Sequence, residues 1–303
     1  MSRYLITGGA GFIGSHLANL LIKNGKQVTI IDDLSTGSYD NIPKTPNINF
    51  INDSILNKTL LEKSFCDVSG VFHLAAIASV RKSIDNWYYS HQVNLAGTIN
   101  VFLHAAERNI PVVYASSAAV YGASKNLPLS EASLASPLSP YAVDKYICEI
   151  QAKILGTLKG LKSFGLRFFN VYGEGQSKDS DYSGVISIFK QRINRGEKLT
   201  IFGDGEQCRD FIHISDIVDA ILLAMDATSS EGPVANICTG KPYTLNQLVE
   251  ILSQISSISG ILYEPSQLGS IKLSIGDPSL AEKIMGFKAK QDFNTKLIEL
   301  ILA

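Results

Sequence analysis

The sequence predicts an α/β protein with a doubly wound parallel sheet and a smaller C-terminal α/β substrate lobe. Short apolar segments alternate with longer amphipathic ones, which indicates β-α-β units. The short segments are apolar on both faces, as expected for strands that helices cover on both sides of a parallel sheet. A glycine-rich turn also joins the first predicted strand to the first predicted helix.

Most predicted strands lie in the first 170 residues, separated by helical patterns. They are Arg3–Thr7, Gln27–Ile31, Asn47–Ile51, Gly70–Leu74, Pro111–Ala115 and Leu161–Phe168. Later helical patterns at 184–194, 215–227 and 244–257 surround short strands at 198–202 and 233–237. We therefore expect a first domain over 1–170 and mainly a second lobe over 171–303, between which the chain can cross back.

Composition excludes several classes of protein. The 303 residues are 45% hydrophobic and 18% charged, unlike a disordered chain. The net charge of −1 predicts no nucleic-acid or anionic-lipid partner. Neither a secretory leader nor an apolar run of ~20 residues is visible, so no membrane span and a cytoplasmic location are expected. Scattered cysteines and histidines predict no metal site.

A dinucleotide site is predicted at the first strand-to-helix turn. Gly8, Gly11 and Gly14 follow the first strand, and Phe12 and Ile13 open the helix. Glycines let a backbone turn tightly and approach a pyrophosphate, whose charge is favoured at the helix N-terminus. This is the Rossmann arrangement. A tight turn without a ligand is the alternative.

Asp32 ends the second strand, where a carboxylate can accept hydrogen bonds from ribose hydroxyls and would repel a phosphate. The next basic residue after Asp33 is Lys44, which favours NAD over NADP. Asp53 follows the third strand and can reach the adenine amino group, with a helix cap as the alternative. Asp33 is interpreted as a solvated turn residue.

Tyr141 and Lys145 lie four residues apart at the start of a helical pattern and hence on one helix face. The ammonium there is expected to lower the phenol pKa, which would make Tyr141 a general base. Tyr121 and Lys125 have the same spacing. We reject that second pair because Gly122 follows the tyrosine in a loop, where no helix would align the two side chains.

Several motifs occur in order around these residues. They are TGGAGFIG at 7–14, DDLSTG at 32–37, HLAA at 73–76, SSAAVYG at 116–122, PYAVDK at 140–145, RFFNVYG at 167–173 and GDGEQCRDF at 203–211. Together they resemble the extended short-chain dehydrogenase/reductases, and more narrowly the NAD-dependent nucleotide-sugar epimerases of the UDP-hexose 4-epimerase group. The resemblance covers nearly the whole chain.

The resemblance implies further contacts with NAD. The implied residues are Ser35, Gly37, Ser54, Leu74, Ala75, Ala76, Asn94 and Phe168, besides Tyr141 and Lys145. The backbone of residues 73–76 would pass under the nicotinamide ribose and pyrophosphate, and Asn94 would stabilise the cofactor side of the site. A buried polar helix residue and a packing turn of small residues are the alternatives.

The resemblance also implies the contacts with a UDP-sugar. Ser117 would hydrogen-bond the sugar 4-oxygen beside Tyr141, and Asn170 and Arg209 would hold the diphosphate. Phe202 would lie beside the uracil. Ala119 stands where related dehydratases carry an acidic residue, which argues against dehydration. His213 and Asp216 belong to the same stretch and are interpreted as structural.

Two departures from the family pattern bear on the substrate. Residues 267–270 read QLGS instead of Arg-x-Gly-Asp, so a second diphosphate arginine is missing. Lys241, Lys272 or another group would compensate, or binding would be weaker. Ser274 stands where a large aromatic residue would restrict the pocket, which predicts acceptance of N-acetylated UDP-hexoses. Ser79 would line the acetamido side. A local misalignment is the alternative.

The predicted reaction is 4-epimerisation of a UDP-hexose through a transient 4-keto sugar. The alternatives are a UDP-glucuronate 4-epimerase, a sugar-nucleotide reductase or dehydratase, and a dinucleotide sensor without activity, which would lack the Tyr141 and Lys145 pair. The resemblance also implies a homodimer built from two long helices, for which Asn86–Arg108 and Pro140–Leu158 are the candidates.

Overall fold

A computed structural model describes residues 2–176, 184–266 and 271–303. Its strands are β1 (Arg3–Thr7), β2 (Gln27–Asp32), β3 (Ile48–Asn52), β4 (Gly70–His73), β5 (Val112–Ser117), β6 (Ser163–Phe168), β7 (Asn170–Tyr172), β8 (Leu199–Phe202), β9 (Cys208–His213), β10 (Val234–Ile237), β11 (Pro242–Thr244), β12 (Ile261–Glu264) and β13 (Leu273–Ser274). Its α-helices are α1 (Phe12–Lys23), α2 (Lys58–Ser64), α3 (Val80–Asp85), α4 (Trp87–His91), α5 (Thr98–Glu107), α6 (Pro140–Lys159), α7 (Val185–Asn194), α8 (Ile214–Asp226), α9 (Leu245–Ile255), α10 (Ser279–Met285) and α11 (Phe293–Leu302).

The main sheet has seven strands in the order β10-β6-β5-β4-β1-β2-β3. Every neighbouring pair in it is parallel. Apolar clusters cover both faces of the sheet, one including α1 and α8 and the other including α2, α5 and part of α6. The predicted doubly wound Rossmann sheet is therefore confirmed, because these strands are buried on both sides as their composition indicated.

The chain crosses back into this sheet after residue 170. Strand β10 pairs with β6, with Val234 opposite Gly165, and α8 packs against the α1 side. The part of the chain after residue 170 therefore supplies both an edge strand and a covering helix to the first domain. The domain boundary at residue 170 remains a prediction, and β10 and α8 are the later segments that belong with the first domain.

The smaller lobe contains two short sheets around its own apolar cluster. Strand β9 pairs with β7, β11 and β13, and β8 pairs with β12. Side chains of α7, α9 and α11 fill the core beside them. The sequence pattern missed β7, β11, β12 and β13 because they have only two to four residues, and β9 because polar and apolar residues do not alternate in it, so periodicity carries little signal.

The predicted helix at 86–108 is interrupted. Helices α4 and α5 are joined by a wider π-helical turn, Gln92–Gly97, which contains Asn94. The helix at 140–158 is continuous as α6: the Ser139 side chain caps its N-terminus, and Gly160 ends it at φ +71°. Within the described ranges, no helix is long and apolar enough to cross a membrane.

Close backbone packing forms the turn between β1 and α1. Gly8 has φ +75°, and its amide donates to the Ile31 carbonyl oxygen at 2.8 Å. A Cβ at Gly14 would lie 2.2 Å from the Gly8 oxygen, so any larger residue would separate helix from turn. A Cβ at Gly8 would lie 2.6 Å from the Ala75 amide nitrogen. The turn therefore links β1, α1 and the end of β4.

We expect Gly14→Ala to lower the free energy of unfolding by about 3 kcal/mol, because overpacking against rigid backbone outweighs the better helix propensity of alanine. Urea unfolding would measure this as a lower midpoint at unchanged slope. Gly11→Ala is the control: Gly11 has φ −77° and its added Cβ would meet only one atom, at 3.3 Å. Equal midpoints for the two variants would contradict the close-packing argument.

Candidate active site

The predicted site residues meet along the carboxyl edge of the parallel sheet. The β1-α1 turn, Asp32 at the end of β2, the segment after β4 and Ser117 at the end of β5 all lie at this edge. Helix α6 carries Tyr141 and Lys145 beside β5. Ligands of open parallel sheets bind at this edge, where the order of strands reverses between β1 and β4.

Asp32 is bonded to the glycine turn itself. Its Oδ2 accepts from the Ala10 amide and its Oδ1 from the Leu34 amide, both at 2.9 Å. Burial raises the pKa of Asp32, and these two amide donors oppose that rise. Each oxygen keeps a lone pair for a further donor, so the carboxylate can still accept from ribose hydroxyls.

The turn fits a dinucleotide pyrophosphate. Among the described residues, an added Cβ at Gly11 would contact only the Gly8 oxygen within 4 Å, so the space beside Gly11 is open. This space lies at the N-terminus of α1, where a pyrophosphate would be favoured. Phe12 and Ile13 are half-buried in the first turn of α1. Gly37 approaches Ala10 so closely that a Cβ would lie 2.9 Å from its backbone. The structure thus places these four predicted residues around one turn.

Asp53 and Ser54 lie farther out, after β3. Asp53 accepts from the Ser54 amide and, at 2.9 Å, from the Asn57 side chain, which caps α2. Asp53 thus orients the capping residue and is not itself the cap. Ser35 is exposed in the loop after β2. Their contacts with adenosine remain predictions.

A chain of hydrogen bonds holds the segment after β4. Burial lowers the pKa of His73 to about 3, and the charge of Lys145 adds to this, so the ring is neutral. The Thr98 hydroxyl donates its hydrogen to the backbone carbonyl oxygen of Asn94 at 2.6 Å. Its bond with His73 Nε2, at 2.8 Å, must therefore be one in which the Thr98 oxygen accepts. His73 Nδ1 therefore accepts from Thr7 at 2.7 Å, and the Thr7 oxygen accepts from the Ala75 amide.

Asn94 extends this network to the next residues of the segment. Its Oδ1 accepts from the Ile77 amide at 2.8 Å, and its Nδ2 donates to the Ile77 oxygen at 3.2 Å. Leu74, Ala75 and Ala76 are half-buried just before this contact. The fully buried Asn94 thus shapes the cofactor side through backbone contacts, and its direct contact with NAD stays a prediction.

Tyr141, Lys145 and Ser117 come together. Lys145 Nζ lies 5.8 Å from the centre of the Tyr141 ring and donates to the Ala115 oxygen at 2.8 Å. Ser117 hydrogen-bonds the Tyr141 phenol. The Tyr141 amide donates to the Ser83 hydroxyl at 3.2 Å, which holds the first turn of α6 against α3. A phenol, an amine and a hydroxyl thus share the space at the end of β5.

The charge balance of this group differs from the expectation. Burial raises the pKa of Tyr141, whereas the Ser117 hydrogen bond lowers it, and the net shift is upward. Burial also lowers the pKa of Lys145, which the charges of Cys148 and Asp144 oppose. The predicted lowering of the phenol pKa by Lys145 is therefore wrong for this structure: desolvation dominates, and the amine is bonded to a carbonyl of β5.

The substrate candidates of the smaller lobe lie on adjacent strands. Arg209 in β9 pairs with Ser274 in β13, and Asn170 in β7 pairs with Phe211, two residues further along β9. Arg209 Nη1 donates to the Cys208 oxygen at 2.8 Å, and burial lowers the Arg209 pKa. Phe202, 45% exposed, ends β8. Ser274 therefore lies beside the predicted diphosphate arginine.

The other candidates occupy defined positions. Ser79 caps α3 by accepting from the Lys82 amide at 3.1 Å. Phe168 is buried at the end of β6, opposite Ser117. Lys272 Nζ lies 3.5 Å from an oxygen of Asp204. The departure at 267–270 lies outside the described residues.

Sequence reasoning missed Asp210 and interpreted its neighbours His213 and Asp216 as structural. Asp210 is fully buried and accepts from the Thr239 amide and hydroxyl and the Gly240 amide within 2.8 Å, and from the Gly276 amide at 3.3 Å. His213 caps α8, and Asp216 accepts from two backbone amides. An aspartate directly before the apolar residues Phe211 and Ile212 was the available signal for Asp210.

Tyr121, the tyrosine of the rejected pair, ends a short 3₁₀ turn, and Lys125 lies in the following loop. No helix joins them. Tyr121 is fully buried, and its hydroxyl accepts from Arg167 Nη1 at 2.8 Å and donates to Asn236 Oδ1 at 2.6 Å. Its hydroxyl is thus occupied by protein groups.

Comparisons with known proteins agree with this geometry. The model of the NAD dependent epimerase/dehydratase family matches residues 4–238. The chain is 39% identical over 292 residues to a putative UDP-glucose 4-epimerase of Methanocaldococcus jannaschii, with 95% of this chain and 93% of the relative covered. A UDP-glucuronate 4-epimerase of Thermodesulfobacterium geofontis is 32% identical over 329 residues, with 99% and 98% covered.

A solved structure is also similar over its whole length. It is the UDP-N-acetylglucosamine 4-epimerase of Methanobrevibacter ruminantium in complex with UDP-N-acetylmuramic acid, with a TM-score of 0.95, 38% identity, and 99% of this chain and 97% of that chain covered. The sequence prediction of an NAD-dependent nucleotide-sugar epimerase is confirmed, and the chain belongs to the NAD dependent epimerase/dehydratase family.

Proposed function

We propose that the protein catalyses NAD-dependent 4-epimerisation of a UDP-hexose and accepts N-acetylated hexoses. The observation that carries this proposal is the group of Tyr141, Lys145 and Ser117 at the sheet edge that also holds the glycine turn. Ser274 beside Arg209 supports the wider pocket, because a serine leaves space where an aromatic side chain would fill it. The similarity to an enzyme named for UDP-N-acetylglucosamine supports the same choice.

When bound, NAD⁺ would supply a hydride acceptor for the sugar C4 and, once reduced, a hydride donor for the 4-keto sugar. The glycine turn and Asp32 would hold its pyrophosphate and ribose. Tyr141, in its phenolate form stabilised by the charge of Lys145, would take the proton from the sugar 4-hydroxyl and become the neutral phenol, while Ser117 would hydrogen-bond the sugar 4-oxygen. Arg209 and Asn170 would hold the diphosphate, so that the 4-keto sugar turns and receives the hydride on its other face.

UDP-glucuronate is the second candidate substrate. The similarity to a UDP-glucuronate 4-epimerase over nearly the whole chain favours it. A dehydratase is less well supported, because half-buried Ala119, two residues after the end of β5, offers no acidic group there. The cytoplasmic location remains a prediction of the sequence.

A homodimer is also part of the proposal. Helix α6 carries an apolar stripe that faces outward, with Ile150 42%, Ile154 43% and Leu158 74% exposed. It lies beside α3 and α4, which expose Ile84 and Trp87. Exposed apolar residues of this kind favour a protein interface, and α4 and α6 fall in the two ranges predicted for the dimer, whereas α3 precedes them.

Tyr141→Phe is expected to lower kcat by about 10²–10⁴-fold, because the general base is lost while the ring remains. Turnover of UDP-glucose and UDP-N-acetylglucosamine, resolved by anion-exchange chromatography, would measure this. Tyr146→Phe on the same helix is the matched control and should keep normal turnover. Normal turnover by Tyr141→Phe would exclude Tyr141 as the base.

Ser274→Tyr should lower kcat/KM for UDP-N-acetylglucosamine at least about tenfold and change that for UDP-glucose much less, since the added ring would occupy the acetamido space. Parallel assays of both sugars would show the ratio. Ser257→Tyr, in an exposed loop after α9, is the control and should leave the ratio unchanged. An unchanged ratio for Ser274→Tyr would remove the pocket argument.

Ile154→Glu should convert the dimer to monomers, because a dimer would bury the new carboxylate without a partner. Sedimentation velocity would measure the mass. Ile261→Glu is a control of matched exposure, since Ile261 is 41% exposed in β12. A wild-type monomer, or an Ile154→Glu dimer of unchanged affinity, would contradict the assignment of this face.

A further inference from the structure

A buried ion pair joins the catalytic helix to the strand next to β5. Glu149 lies one turn after Lys145 on α6 and accepts from Arg167 of β6 through two bonds, Nε to Oε1 at 2.9 Å and Nη2 to Oε2 at 2.6 Å. Both side chains are about 6–7% exposed. Such a two-bond pair has one geometry, so it fixes the distance between helix and strand.

The same ion pair reaches the catalytic strand. The Ser116 hydroxyl donates to Glu149 Oε1, and Ser116 lies opposite Arg167 in the sheet. Ser117, which hydrogen-bonds Tyr141, is the next residue of β5. Glu149 therefore links α6, the helix that carries both Glu149 and Tyr141, to β5, the strand that carries Ser117.

In the other direction the network leads to the substrate lobe. Arg167 Nη1 donates to Tyr121, Tyr121 donates to Asn236 Oδ1, and Asn236 Nδ2 donates to the Leu129 oxygen at 2.8 Å. The Leu129 amide then donates to the Ile275 carbonyl oxygen at 2.8 Å, and the Leu129 carbonyl oxygen accepts from the Asp277 amide. Ser274 precedes Ile275 directly.

We propose that Glu149, Arg167 and Tyr121 are positioning residues, which set the Ser117 to Tyr141 geometry on one side and the Ser274 segment on the other. The proposal rests on the proposed function for its kinetic readout. Ser116 serves the catalytic side, because it joins Glu149 to β5. Tyr121 serves the substrate side, because its hydroxyl is the link between Arg167 and Asn236. Loss of either link should therefore affect a different kinetic constant.

Ser116→Ala and Tyr121→Phe test this, because both leave the ion pair intact. Ser116→Ala should lower kcat about five- to tenfold at unchanged KM, and Tyr121→Phe should raise KM about five- to tenfold at unchanged kcat, as expected for one lost hydrogen bond to a network. The assay uses UDP-glucose and UDP-N-acetylglucosamine, and thermal unfolding is followed for every variant.

Two matched controls remove buried hydroxyls for which no described residue supplies a hydrogen-bond partner. They are Ser163→Ala in β6 and Tyr114→Phe in β5, and neither should change kcat or KM. The proposal is upheld by the split between the two constants. It is overturned if both test variants match their controls, or if each changes kcat and KM together in proportion to a lower melting temperature.

Binding of UDP gives a readout that does not need turnover. By calorimetry, Tyr121→Phe should raise the Kd for UDP about fivefold and Tyr114→Phe should not, because the Ser274 segment pairs with Arg209. If the wild type converts neither sugar nucleotide, the proposed function fails, and this comparison still decides the substrate side. Equal Kd values for the two variants would overturn it.

Discussion

The parallel direction of every strand in the main sheet is the constraint on which the site depends. Because the strands are parallel, their carboxyl ends meet at one edge, and residues from distant parts of the sequence become neighbours. Thr7, His73 and Ser117 end β1, β4 and β5. The Thr7 and His73 side chains hydrogen-bond each other, and the Ser117 hydroxyl accepts from the Ala119 amide. The glycine turn maintains this edge, since Gly8 leaves no space for a side chain beside Ala75.

Desolvation is the dominant electrostatic effect at this edge. It raises the pKa of Asp32 and Tyr141 and lowers that of Lys145 and His73, so each group is shifted toward its neutral form. Asp32 counters the shift with two backbone donors, and the His73 ring makes two hydrogen bonds as a neutral group. Among the described residues, the Ser117 hydroxyl is the group that lowers the pKa of Tyr141, and it does not outweigh the effect of burial.

The smaller lobe uses carboxylates bonded to backbone amides as its anchors. Asp210 connects β9 with the segments at Thr239 and Gly276, and Asp216 connects α8 with the backbone at Lys290. Each of the two carboxylates has at least two backbone donors, which offset part of the cost of removing its charge from water, although burial still raises the pKa of both. Arg209 directly precedes Asp210, and Ser274 lies two residues before Gly276, so the relative position of Arg209 and Ser274 is set by these backbone contacts.

The sequence by itself determined the Rossmann sheet, the turn at Gly8 to Gly14 and the Tyr141 and Lys145 pair, because periodicity, glycine spacing and a helical interval of four are local properties. Only the tertiary structure decided that β10 returns to the main sheet, that Ser274 pairs with Arg209, and that burial raises the Tyr141 phenol pKa. Pairing between distant strands and desolvation depend on which surfaces meet in space, and no local pattern of residues encodes that.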